Sequence, residues 1–112
     1  MAWHSLGAIT VTLPGTRVRL TANQIDPNKR IGAEALLVQA ISNPIHVNTG
    51  RVYVYDNLSS SAPLATLAVP TINSIPSASA TTPGAPGALN VADYYIDADN
   101  AGDGVNPSYL TP

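Results

Sequence analysis

The chain has 112 residues, a formal net charge of −2, only 11% charged residues and no cysteine. That length accommodates one core and not two. The missing cysteines exclude a disulfide framework and any thiolate metal site, and five basic residues are too few to neutralise many phosphates, which argues against nucleic-acid binding. A typical domain carries about 25% charged residues, so this weakly charged surface is better suited to being covered by partners than to a free monomer. No segment reaches the roughly 18 apolar residues of a membrane span. The opening Met1-Ala2-Trp3-His4-Ser5 lacks the basic-then-apolar order of a signal peptide. Synthesis in a cytoplasm and no membrane partner are therefore expected.

Ten prolines and eight glycines divide the chain into short pieces and exclude long helices. Ile9, Val11 and Leu13 alternate with Thr10 and Thr12, the period of a strand. Pro14-Gly15 supplies a turn. Val18 and Leu20 resume the alternation, giving a hairpin or two consecutive strands. Asp26-Pro27-Asn28 is loop chemistry, and the neighbouring Arg17, Arg19, Lys29 and Arg30 read as a solvated strand edge and turn. Ala33 to Ile41 is nearly continuous apolar sequence between Gly32 and Pro44. A buried strand is favoured there over a short helix. After the Asn48-Thr49-Gly50 turn, Val52 and Val54 face one way and Tyr53 and Tyr55 the other. The two tyrosines are expected to fill a core with their hydroxyls at its rim.

Residues 64–69 form a further strand candidate. Residues 70–88 are almost entirely Pro, Ser, Ala, Thr, Gly and Ile without charge. They read as a long extended loop, either an arm lying on a neighbouring subunit or a mobile surface loop. Tyr94 to Ala98 is the last major strand, and Val105 to Leu110 adds a short terminal one. Seven or eight short strands without a convincing helix make an all-β chain. The expected architecture is a single β-sandwich over residues 1–112, jelly-roll or immunoglobulin-like.

The densest local chemistry is Asp97-Ala98-Asp99-Asn100-Ala101-Gly102-Asp103-Gly104. Calcium takes hard oxygen ligands, and Asp97, Asp99 and Gly102 match positions 1, 3 and 6 of an EF-hand loop. Ala101 and Ser108 replace its ligands at positions 5 and 12. Asp97, Asp99 and Asp103 are the candidate calcium ligands, and a tight Asp/Asn/Gly turn is the alternative. His4 and His46 lack ligand spacing, and His46 between Ile45 and Val47 is expected to be structural. Glu34 is the only glutamate, and no nucleophile elbow, phosphate-cradling loop or zinc motif occurs. No catalytic residues and no other cofactor are assigned, so the chain reads as a non-enzyme. Trp3 and Tyr109, near termini expected to be flexible, are assigned to intersubunit contact together with Ile72 and Ile75.

Three stretches taken in order carry a resemblance: Val11-Thr12-Leu13-Pro14-Gly15-Thr16; Leu37-Val38-Gln39-Ala40 followed by Asn48-Thr49-Gly50-Arg51-Val52-Tyr53-Val54; and Ala92-Asp93-Tyr94-Tyr95-Ile96-Asp97-Ala98-Asp99 followed by Gly102-Asp103-Gly104-Val105. The order resembles small β-sandwich virion structural proteins of tailed bacteriophages, the capsid decoration or cement proteins. The resemblance implies a protein made in the bacterial host cytoplasm that binds the major capsid protein on the outer head surface, as a symmetric oligomer, expected to be a homotrimer. The 70–88 loop has no counterpart in that pattern. A tail or head–tail junction protein, and a calcium-dependent carbohydrate-binding module, are the alternative readings.

Overall fold

The computed structural model describes residues 2–42, 45–68 and 89–111, with the backbone of 77–81. It is all-β and antiparallel, with a single 3-10 turn at Val91–Asp93 among the described residues. In chain order the strands are β1 (Ala2–Ser5), β2 (Ile9–Thr10), β3 (Val18–Arg19), β4 (Gly32–Ala33), β5 (Ala35–Ala40), β6 (Val52–Tyr55), β7 (Ala65–Leu67), β8 (Ser77–Thr81), β9 (Leu89–Asn90), β10 (Tyr95–Ala98) and β11 (Gly104–Thr111).

Two larger sheets divide these strands. The first runs β1-β11-β5-β8, with β2 also on β11, and the second runs β3-β10-β6-β7. A two-stranded pair, β4-β9, stands apart. The inward rows follow from period-two alternation. Leu36, Val38 and Ala40 of β5 and Val105 of β11 point in from the first sheet, and Val52, Val54, Ile96 and Ala98 from the second. They belong to one hydrophobic cluster with Ile9, Val11, Leu20 and Leu67.

Several expectations hold and others are corrected. Residues 35–40 are a strand, because an apolar run alternating buried and half-buried positions satisfies a sheet and not a helix. Leu13-Pro14-Gly15-Thr16 is a turn closed by Thr16 N–H to Leu13 O, with Gly15 at φ 92°, a conformation that glycine adopts without steric cost. It does not close a hairpin. β2 pairs with β11 and β3 with β10, so this turn carries the chain from one sheet to the other. The terminal strand is not short: β11 is eight residues long and central to its sheet. The loop expected at 70–88 contains strand β8, paired to β5, while the remainder of that stretch, with Ile72 and Ile75, lies outside the described residues. The N-terminus is not a flexible end either, since Ala2–Ser5 forms β1 against residues 108–111.

A proline within a central strand is unusual because it lacks an N–H. Pro107 is accommodated by an irregularity opposite it. Ser5 pairs with Ser108 but Ile9 pairs with Val105, so Leu6, Gly7 and Ala8 stand opposite Asn106 and Pro107. This bulge places Gly7 at φ 75°. Leu6 N–H donates to Pro107 O at 2.9 Å with no reciprocal bond to receive. The Asn23 side-chain amide donates to the bulge carbonyls of Leu6 and Ala8, each at 3.1 Å.

Where β2 crosses the start of β11 the backbones nearly touch. A Cβ placed on Gly104 falls 1.9 Å from the carbonyl oxygen of Ile9. Gly104→Ala therefore forces the two strands apart and is expected to destabilise the fold by about 3 kcal/mol, measured as a lowered urea midpoint. An unchanged midpoint would show that the strands part freely.

Candidate functional site

The acidic side chains singled out between 97 and 104 do meet partners, but not one another. Asp103 is 1% exposed, although carboxylates are almost never fully buried unless paired. Its Oδ2 accepts the N–H of Gly50 at 2.8 Å and of Thr49 at 3.0 Å, and the Thr49 hydroxyl lies 3.2 Å away. His46 Nε2 stands 3.4 Å from Oδ1, which gives that histidine the structural neighbourhood expected of it. Beside them the buried Asn48 binds Gly104 from both sides. Its amide donates to Gly104 O at 2.7 Å, and its oxygen accepts Gly104 N–H at 3.0 Å. Asn100 donates to the Thr49 hydroxyl at 3.0 Å. The turn at 48–50 and the turn at 99–104, some fifty residues apart, are thus clasped together by side chains on backbone.

The other two carboxylates are used elsewhere. Asp97 Oδ1 accepts the N–H of Gly15 at 3.0 Å and of its neighbour Ala98 at 2.8 Å, tying the inter-sheet turn to β10. Asp99 Oδ1 accepts the hydroxyl of Tyr53 at 2.8 Å. The candidate calcium set Asp97, Asp99 and Asp103 is therefore not gathered about one point. Among the described residues no group of three or more His, Asp or Glu is arranged to hold a metal.

The outer faces of the two sheets differ in chemistry. On the second sheet the register sets Arg19, Tyr95 and Tyr55 in one row and Asp97 and Tyr53 in the next. The Arg17 guanidinium stacks 3.5 Å from the Tyr55 ring centroid and donates to Asn57 O at 2.8 Å and to Ser60 O. Arg19 lies over Tyr95 at 4.8 Å and donates to Ala92 O. Two corrections follow. These arginines are not merely solvated, because they cover tyrosine rings. Tyr53 and Tyr55 do not fill the core, because Val52 and Val54, which alternate with them, take the inward positions.

Among the described residues the outer face of the first sheet has no such charges. Its rows set Trp3 beside Leu110 and Ala35, then Ser5 beside Ser108 and Leu37, then Asn106 beside Gln39. None of these side chains is ionisable. Trp3 is 54% exposed. Tyr109 points to the opposite face, where it stacks on His4 at 5.0 Å and packs against the core. Trp3 and Tyr109 therefore stand on neighbouring strands but on different faces. Sequence reasoning missed Ile25 and Ile45, both fully exposed. Only their loop positions, between turn residues, distinguished them from core isoleucines.

Removing the Asp103 carboxylate leaves the Thr49 and Gly50 amides without their acceptor. Asp103→Ala is expected to lose about 3 kcal/mol of stability, read from chemical unfolding. A loss within experimental error would mean that solvent replaces the clasp.

Tyr53 and Tyr94 hold their protons more tightly than an ordinary phenol. In Tyr53 the cause is the hydrogen bond to Asp99, followed by burial and the nearby carboxylate charge. In Tyr94 it is burial, followed by Asp56 and Asp93. Because the folded-state values are raised, their contribution to stability is complete below pH about 10 and is lost as pH rises through the folded-state values. Phenolate absorbance during alkaline titration should show Tyr53 and Tyr94 titrating later than an ordinary phenol. Asp99→Asn should return Tyr53 toward the ordinary value, and a titration identical to that of the parent chain would exclude the Asp99 bond as the cause.

No protein family, curated protein or solved structure matched the chain.

Proposed function

We propose that this chain is a non-enzymatic decoration protein of a tailed-phage capsid, built as a β-sandwich of jelly-roll or immunoglobulin-like kind. Two antiparallel sheets with inward rows in one hydrophobic cluster support that scaffold. The observation that carries the reading is the uncharged outer face of the first sheet, with Trp3, Leu37 and Leu110 among Ser, Ala, Asn and Gln. A sheet face without ionised groups loses little hydration when covered, whereas burying an unpaired charge costs several kcal/mol. Tryptophan at such a face provides a large anchor with a polar handle. The major capsid protein is the partner, and repetition of the contact over a symmetric shell lets modest individual affinities act together. The Asp97, Asp99 and Asp103 carboxylates serve the fold in this reading, and no metal is needed.

Quantitative mass spectrometry of purified virions tests the assignment. A copy number near that of the major capsid protein is expected. A handful of copies would move the chain to the tail or head–tail junction, and absence from the particle would remove the virion reading. At residue level, Leu37→Glu places a charge in the middle of the proposed contact face. It is expected to weaken capsid binding at least about tenfold while leaving the melting temperature near that of the parent. Unaltered binding would move the contact to another surface.

A further inference from the structure

We propose that β1 is a dimerisation edge, pairing antiparallel with β1 of a second copy across a two-fold axis. All four residues of β1 are exposed, and among the described strands it forms one end of its sheet. Sheet edges are ordinarily protected by charged side chains, proline or extreme shortness. β3, an edge of the second sheet, is two residues long and flanked by Arg17. Ala2-Trp3-His4-Ser5 has no Asp, Glu, Lys, Arg or proline, and its one ionisable side chain, His4, stacks on Tyr109 with Nε2 3.0 Å from the Thr111 hydroxyl.

The ladder specifies the register. Leu6 N–H donates inward to Pro107 O. Antiparallel pairs alternate between hydrogen-bonded and non-bonded, so His4 and Ala2 also direct their backbone groups to β11. Trp3 and Ser5 then direct theirs outward. The two-fold pairing that uses both outward residues sets Trp3 opposite Ser5 of the second copy and His4 opposite its own equivalent. In that arrangement each Trp3 ring meets a small serine on the same face and not another tryptophan. A second copy is the occupant this edge fits because the segment is complementary to itself in this register. The adjoining uncharged face brings no like charges together, and the one ionisable pair in the seam is His4 against its equivalent. A two-fold contact closes on itself and leaves no further β1 edge open. The pairing belongs to the free chain, does not depend on capsid binding, and departs from the homotrimer that the resemblance implies.

Ser5→Pro removes an outward N–H and none of the bonds to β11, its only other loss being the exposed hydroxyl that accepts the Gly7 N–H at 3.1 Å, and proline also favours an extended residue before it. Sedimentation of the purified chain over a concentration series should show a dimer. The Ser5→Pro variant should be monomeric with a melting temperature close to that of the parent. The native chain has no cysteine, so single cysteines report the register. At the non-bonded two-fold position, Cα atoms about 4.5 Å apart lie within disulfide reach. His4→Cys should therefore yield a covalent dimer on mild oxidation. Ser5→Cys should not, since its equivalents lie about 8 Å or more apart. A monomer at all concentrations, a trimer, a dimer unaffected by Ser5→Pro, or faster linkage through Ser5→Cys would each overturn the pairing. If Ser5→Pro does not fold, the two cysteine variants still decide it.

Discussion

The buried carboxylate of Asp103 is the constraint on which the arrangement of this chain depends. A carboxylate removed from water must be matched by donors, and here they are the backbone amides of Thr49 and Gly50. Those amides precede β6 in the second sheet, while Asp103 precedes β11 in the first. One side chain therefore sets how the two sheets enter their shared core at this end. Asn48 repeats the device on Gly104, with both polar ends of its amide on the same residue's backbone. Gly50 and Gly104 have little room for a side chain, since a Cβ at Gly50 would lie 2.7 Å from the Asn100 amide and one at Gly104 would enter the β2 backbone.

That clasp changes how the acidic stretch is understood. Three aspartates and an asparagine close in sequence resemble a cation loop, yet strand alternation and the turn direct Asp97, Asp99 and Asp103 to three different partners. Each satisfies donors that would otherwise be unpaired at a junction between elements. Asp97 fixes the turn that crosses from one sheet to the other, Asp99 holds a tyrosine on the outer face, and Asp103 locks the two turns.

Charge is distributed unevenly over the two outer faces. Arg17, Arg19 and Asp97 lie on the second sheet, the arginines folded over Tyr55 and Tyr95. The first sheet presents an uncharged face that ends in β1, a strand that contributes nothing to the core. Arg17, Arg19, Asp97, Asp99 and Asp103 organise turns and rings, and among the described residues the outer face of the first sheet is free of charge. That face and its edge are where contact with other molecules involves the least loss of hydration.

Much of the architecture was legible in local pattern. Alternation at Val52 to Tyr55, an apolar run too short for a helix at 33–41, and Pro14-Gly15 as a turn all follow from the backbone preferences of single residues and their period. The acidic turn and Asn48-Thr49-Gly50 were both visible as turns. Their contact was not, because nothing in either segment specifies a partner some fifty residues away. The same limit explains β1, whose four residues carry no strand pattern of their own and become a strand only by pairing with β11, and Pro107, which local rules exclude from a central strand until the Gly7 bulge faces it. By itself the sequence determined an all-β chain of short strands, because proline and glycine spacing forbids long helices and period-two alternation needs no distant information. Only the tertiary structure decided which strands are neighbours, where each aspartate points and which sheet face is left without charge, because those depend on register between segments far apart in the chain.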